Sequence, residues 1–265
     1  MRIPFVQIDA FAGQPFEGNP AAVMPLTSWL DDAVLQSIAA ENNLAETAFI
    51  VAVDSGAADF ELRWFTPVSE VVMCGHATLA SGHFVLSSDT ARDRVTFRTR
   101  KAGLLHVAHA DAGYELALPA WAPAPKPLPD LLAALGLDAA VETLWHEQDY
   151  SVIVLADEAQ VRAVDPDFRA LAQFGDWLTI VTAPGDTTDI VSRAFAPGAG
   201  IDEDPVTGSA HAVVVPYWAQ RLGRDDLTAY QASKRGGRLA CRLEGDRVIL
   251  GGTCVTVIEG TFFLP

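Results

Sequence analysis

Two short strings recur in this chain, and they restrict its architecture more than any other feature. The first is Arg63-Trp-Phe65-Thr-Pro67, followed by Cys74-Gly75-His76-Ala77. The second is Arg193-Ala-Phe195-Ala-Pro197, followed by Thr207-Gly208-Ser209-Ala210. Each time a strand-like run ends in an Arg-x-Phe-x-Pro turn, and a Gly-x-Ala step opens a small-residue stretch that reads as a helix. Self-similarity of this kind marks a repeated supersecondary unit. The chain is therefore expected to form two similar halves facing each other across a cleft. Two Gly-initiated helix N-termini would then point free N–H groups into one site, which suits an anion.

The rest of the pattern fits an α+β arrangement. Strand-like runs outnumber helical ones and are joined by hairpin-like gaps, so a βαβ array is excluded. Helical patterns are expected from about Leu30 to Asn42, from Ala77 to Leu86 and from Ser209, with Pro216 expected to kink the last. Five prolines between Pro119 and Pro129 read as an extended linker. The division is then 1–118 for the first half, joined by a last strand at 256–265, and 130–255 for the second.

Charge and motifs remove several function classes. The 34 Asp and Glu against 18 Lys and Arg give a net charge of −16, which argues against nucleic-acid or anionic-membrane partners. No apolar run is long enough for a membrane span. Gln7 and Asp9 come too early for a signal peptide, so a cytoplasmic location is expected. Cys74, Cys241 and Cys254 form no disulfide framework. GxGxxG, GxxxxGK[ST] and GxSxG are all missing, which sets aside nucleotide-dependent and serine-hydrolase chemistry. His106 and His109 face opposite ways on a strand, His76 and His83 are too far apart on a helix for a tight pair, no acid completes a set, and Cys74-x-His76 alone is weak. Neither a metal nor a cofactor is expected.

Three residues stand out for acid–base work. Glu46, at the mouth of an apolar strand, loses solvation there and becomes a credible proton donor and acceptor. His76 opens a helix, whose dipole favours the neutral imidazole. Asp204 leads into the Gly208 turn, where a carboxylate could hold a substrate amine or hydroxyl. Cys74 reads either as a thiolate with a depressed pKa at a helix N-terminus or as a small buried hydrophobe. Ser209 reads as an N-cap or as a carboxylate-holding group. A chain at −16 repels anions at long range, so local helix N-termini and an arginine such as Arg63 or Arg193 would have to hold one.

At these residues the sequence resembles the phenazine-biosynthesis PhzF-like isomerase family. The matching segments are Asp9-Ala-Phe-Ala, Glu17-Gly-Asn-Pro20, Asn43-Leu-Ala-Glu46-Thr, Phe65-Thr-Pro67, Gly75-His76, Asp204-Pro-Val-Thr-Gly-Ser-Ala210 and Glu259-Gly260-Thr261. The resemblance implies the diaminopimelate-epimerase-like fold, with two pseudo-symmetric halves, each a curved, mostly antiparallel sheet around a central helix. It also implies a cofactor-independent homodimeric enzyme. Glu46 would shuttle a proton between carbons of a small carboxylate such as trans-2,3-dihydro-3-hydroxyanthranilate. His76 and Asp204 would contact the substrate's polar groups and assist, while Gly75, Gly208, Ser209 and Cys74 would line the binding loops. Cys74 and Ala77 flank Gly75-His76 where the phenazine enzyme has an apolar residue and a proline, which favours a different substrate. Related epimerases use two cysteines; Cys74 fits one position, but Thr207 occupies the other. The alternatives are an epimerase pairing Cys74 with Glu46, and a non-catalytic binding protein on the same fold.

Overall fold

Why the two strings recur is visible in the strand pairing. The structure, a computed structural model, describes residues 1–54 and 56–264. The chain divides into two compact units, Met1–Ala117 with the chain end from Gly251, and Leu118–Leu250. In the first unit the elements are β1 (Arg2–Ala10), β2 (Asn19–Leu26), α1 (Asp32–Asn42), β3 (Glu46–Ala52), β4 (Phe60–Phe65), β5 (Glu70–Val71), α2 (Gly75–Ser88), β6 (Arg94–Thr99), β7 (Leu104–Ala110) and β8 (Gly113–Pro119). The second carries β9 (Ala124–Pro125), α3 (Pro129–Ala134), β10 (Glu142–His146), β11 (Tyr150–Val154), α4 (Glu158–Ala163), α5 (Phe168–Leu171), β12 (Leu178–Pro184), β13 (Ile190–Ala196) and β14 (Ile201–Asp204). It continues through α6 (Gly208–Leu222), β15 (Asp226–Gln231), β16 (Gly237–Glu244) and β17 (Arg247–Gly252). A last strand, β18 (Cys254–Phe263), pairs antiparallel with β1.

The senses of pairing repeat. In the first unit β1–β2 is antiparallel, β2–β3 parallel, β3–β4 and β4–β5 antiparallel, β4–β6 parallel and β6–β7 antiparallel. In the second, β10–β11 is antiparallel, β11–β12 parallel, β12–β13 and β13–β14 antiparallel, β13–β15 parallel and β15–β16 antiparallel. The central helices α2 and α6 fall at the same step of this order. The repeat is one of topology, and the short strings are its visible trace.

Small residues let α2 sit deep in its unit. Ten of its fourteen residues are buried, and it packs on β1, β2, β3, β6, β7 and β18. At Gly82 an added Cβ would lie 2.3 Å from Val107 Cγ1, so no larger residue fits against β7. Buried hydroxyls are satisfied within the helix, Thr78 Oγ1 donating to the Cys74 carbonyl at 2.6 Å and Ser81 Oγ to Ala77 at 2.7 Å.

Two further segments are held by specific hydrogen bonds. The α6 helix runs on through Pro216. Proline leaves the carbonyl four residues earlier without its helical donor, and the Trp121 N–H takes that Ala212 carbonyl at 2.9 Å. The same contact ties down the proline-rich segment. Ala120 N–H also donates to Asp246 at 2.8 Å, Lys126 N–H to Thr143 at 3.0 Å, and β9 pairs with β10. No helix among the described residues is long and apolar enough to cross a membrane.

Candidate active site

The chemistry of the first unit gathers where β2, β3 and α2 begin. Helix α1 ends at Asn43 in the left-handed conformation (φ 48°, ψ 37°), which asparagine tolerates, and its N–H closes on the Ala39 carbonyl at 3.1 Å. Three residues later Glu46 opens β3, paired in parallel with Ala21 of β2. Asn19 opens β2, two residues from Ala21 and so on the same face. Gly18 before it has φ 66°, and an added Cβ would lie 2.1 Å from the Ala10 carbonyl oxygen, so the Gly-Asn step requires glycine. Cys74 is the extended cap residue of α2, Gly75 its first residue and His76 its second.

These side chains meet. His76 Nε2 lies 3.0 Å from Glu46 Oε2, with that oxygen off the ring N–H axis. His76 Nδ1 lies 3.1 Å from Asn19 Nδ2 and 3.5 Å from Cys74 Sγ. Glu46 retains 8% of its exposure, Cys74 6%, His76 3% and Asn19 none. The structure thus brings Glu46, Cys74 and His76 together, with Gly75 between the last two in the chain.

Their protonation differs from what the helix dipole alone suggested. Burial opposes charge on His76, but Cys74 and Glu46 outweigh it and raise its pKa well above the ordinary histidine value. Burial, reinforced by the Glu46 charge, pushes the Cys74 thiol up to about 11, so it is a thiol and not a thiolate at neutral pH. Of the two groups that raise His76, Glu46 is the one that faces Nε2. A carboxylate in contact at 3.0 Å outweighs a partial helix charge.

Glu46 is also the acid that sequence spacing did not supply to Cys74 and His76. One donor atom of each lies within 4.8 Å of the others, a spacing at which three ligands could surround a cation. The imidazole and carboxylate of that cluster are in contact at 3.0 Å.

The second unit builds its own turn. Asp204 closes β14 and accepts from Thr207 Oγ1 at 2.5 Å through Oδ2. Gln231, buried at the end of β15, accepts from Thr207 N–H at 2.8 Å and donates to the Asp204 carbonyl at 2.7 Å. Thr207 is the cap residue of α6, Gly208 its first residue and Ser209 its second. Ser209 is thus inside the helix and not its cap. Neither Cys74 nor Thr207 caps its helix with its side chain. Gln231 and Asn19 were not singled out from sequence, since each is an ordinary amide at a strand end.

Arg63 and Arg193 do not serve as free anion holders. Arg63 is buried and bonds Glu70 through two nitrogens at 2.7 and 2.8 Å, with Asp32 at 2.9 Å. Arg193 holds Glu203 at 2.7 and 3.1 Å and the Val164 carbonyl at 2.6 Å.

Comparison with known proteins gives the family. Residues 8–260 match the phenazine biosynthesis-like protein family, PhzC-PhzF, and the chain belongs to that family. It is 47% identical over 266 residues to an uncharacterized isomerase of Pseudomonas aeruginosa, covering all of both chains. It superposes on a solved PhzF-family phenazine biosynthesis protein of Enterococcus faecalis with a TM-score of 0.91 and 44% identity, covering all of both. A hydroxyproline epimerase of Agrobacterium vitis, 9% identical, matches with a TM-score of 0.63 over 98% of this chain and 92% of its own. That likeness shows the α+β epimerase-like fold alone.

Proposed function

We propose that this chain is a cofactor-independent isomerase that moves a proton between carbons of a small carboxylate similar to trans-2,3-dihydro-3-hydroxyanthranilate, with Glu46 as the base. The observation that supports it most is the pairing of Glu46 with His76 at 3.0 Å, both more than nine-tenths buried, on elements that fix them. A carbon acid needs one positioned base and positive charge beside the electrons it leaves behind. Glu46 takes the proton from one carbon and returns it to another, so electrons are conserved and no redox partner is required. His76, charged because Glu46 faces it, stabilises the developing anion. Cys74 is disfavoured as a base because burial keeps its proton in place. For Asp204, Gly208 and Ser209 we propose the substrate contacts that family membership suggests, and for Gly75 a backbone N–H to the substrate carboxylate.

Proton NMR in heavy water tests this reading on trans-2,3-dihydro-3-hydroxyanthranilate and then on a panel of amino and hydroxy acids. Isomerisation or deuterium uptake is expected, falling by about 10²- to 10⁴-fold in Glu46→Gln. Full turnover in a folded Glu46→Gln variant removes Glu46 as the base. Asp204→Asn in the same assay reports whether the second turn contributes.

A further inference from the structure

The site contains an amide whose position the proton-transfer reading leaves unused. Asn19 is fully buried, and its Nδ2 lies 3.1 Å from His76 Nδ1. The structure places three side chains against that ring: Glu46 from β3, Cys74 from the turn before α2, and Asn19 from β2. Glu46 approaches Nε2, whereas Asn19 approaches Nδ1. An amide N–H offered to Nδ1 is accepted only when that nitrogen carries no proton, so the neutral ring must carry its proton on Nε2. We propose that Asn19 is a positioning residue that selects the Nε2–H tautomer of His76 and so keeps its mobile proton on the Glu46 side.

The placement is built into the fold. Gly18 can have only glycine's backbone, and it delivers Asn19 to the start of β2. The parallel pairing of Ala21 with Glu46 then puts Asn19 and Glu46 on the face that α2 covers. Asparagine also carries an acceptor on the same arm. A half-turn of its amide presents Oδ1 to Nδ1–H when the ring is doubly protonated. One side chain thereby accommodates both states that His76 passes through. Cys74, a thiol, is a weaker partner on the same side.

The catalytic consequence rests on Glu46 being the base, but the tautomer does not. The test uses the full chain labelled with ¹⁵N-histidine, as wild type, Asn19→Asp and Asn19→Leu. Two-bond ¹H–¹⁵N correlation spectra give the protonation of each His76 nitrogen across pH. In wild type the neutral ring is expected to show the proton on Nε2. In Asn19→Leu a mixture of tautomers is expected, with kcat down about 10- to 100-fold and KM within about threefold. In Asn19→Asp an acceptor-only carboxylate faces Nδ1, so the doubly protonated ring should persist to higher pH by about one unit or more. The corresponding limb of the kcat profile should move with it.

An unchanged His76 tautomer in folded Asn19→Leu overturns the proposal, as does an unmoved titration in folded Asn19→Asp. Should the buried aspartate prevent folding, the uncharged leucine variant decides alone. Isomerisation absent from every variant, with the tautomer shift present, would instead reject the Glu46 reading and leave the role of Asn19 standing.

Discussion

The turn before α2 and the turn before α6 share a hydrogen-bond pattern, yet among the described residues only the first sets a carboxylate against a histidine. Thr47 of β3 pairs with Phe65 as Thr179 of β12 pairs with Phe195, which aligns the two units residue by residue. By that alignment Leu178 stands where Glu46 does, Thr207 where Cys74 does, and Ser209 where His76 does. Thr78 Oγ1 donates to the Cys74 carbonyl at 2.6 Å, and His211 Nδ1 at the equivalent place donates to the Thr207 carbonyl at 2.8 Å. The duplicated parts are those that hold backbone. The side chains around them differ: Glu46 meets His76 in the first unit, whereas the second sets one carboxylate, Asp204, among neutral groups.

Two buried histidines sharpen the comparison most, because their pKa values move in opposite directions. Burial lowers His211 to about 4, since its only aid is a carbonyl. The unfolded chain binds that proton at about 6.5. The His211 contribution to stability is therefore intact above about pH 6.5 and is lost as pH falls from 6.5 to 4, on the order of 3 kcal/mol over the window. His76 is raised, so its contribution is full below its unfolded value of 6.5 and is lost as pH rises through its folded one. Urea unfolding of wild type, His211→Thr and His76→Gln across pH should give difference curves that slope in opposite senses. Parallel slopes would break the contrast.

The two arginines test likeness rather than difference. Each guanidinium lies 4.9 Å over the phenylalanine two residues on, and each grips an acid with two nitrogens. The acids keep some exposure, so they can rehydrate when the arginine is lost, and that moderates the penalty. Arg63→Met and Arg193→Met should each cost about 2 kcal/mol and agree within about 1 kcal/mol in denaturant midpoints at constant m. A loss confined to one of them would mean that the repeated string is no longer a repeated interaction.

How much of this was legible in the sequence follows from what makes a signal local. The Arg-x-Phe-x-Pro and Gly-x-Ala strings exposed the duplication because a turn and a helix start need particular residues at fixed spacing. The cluster of Glu46 with His76 was legible only through family resemblance, since thirty residues separate them and it is the packing of α2 on β3 that brings them together. Strand β16 is faint in the sequence because it buries Gly237, Leu239 and Cys241 in alternation with exposed Arg238 and Ala240, a pattern carried by few strong hydrophobes. The direction of the His76 shift was misread because a helix dipole is written in sequence, whereas a carboxylate from another strand is not. Gln231 shows the same limit, as an amide whose partners Asp204 and Thr207 lie 24 or more residues away.

The smallest effect is expected where the two turns differ by one side chain in the same backbone. Cys74 has φ −142° and ψ 110°, and Thr207 has φ −110° and ψ 104°, so threonine fits the first turn without strain. Cys74→Thr makes the two caps identical and removes the sulfur from His76. With the thiol held at about 11 by burial, it keeps its proton and cannot act as a base at neutral pH, and turnover should stay within about threefold of wild type. A thiolate base would behave otherwise, because its removal would cost about 10²-fold or more. Turnover that collapses in Cys74→Thr while the melting temperature holds would transfer the base from Glu46 to the sulfur. The asymmetry between the two turns would then lie in cysteine against threonine, and not in Glu46 against Leu178.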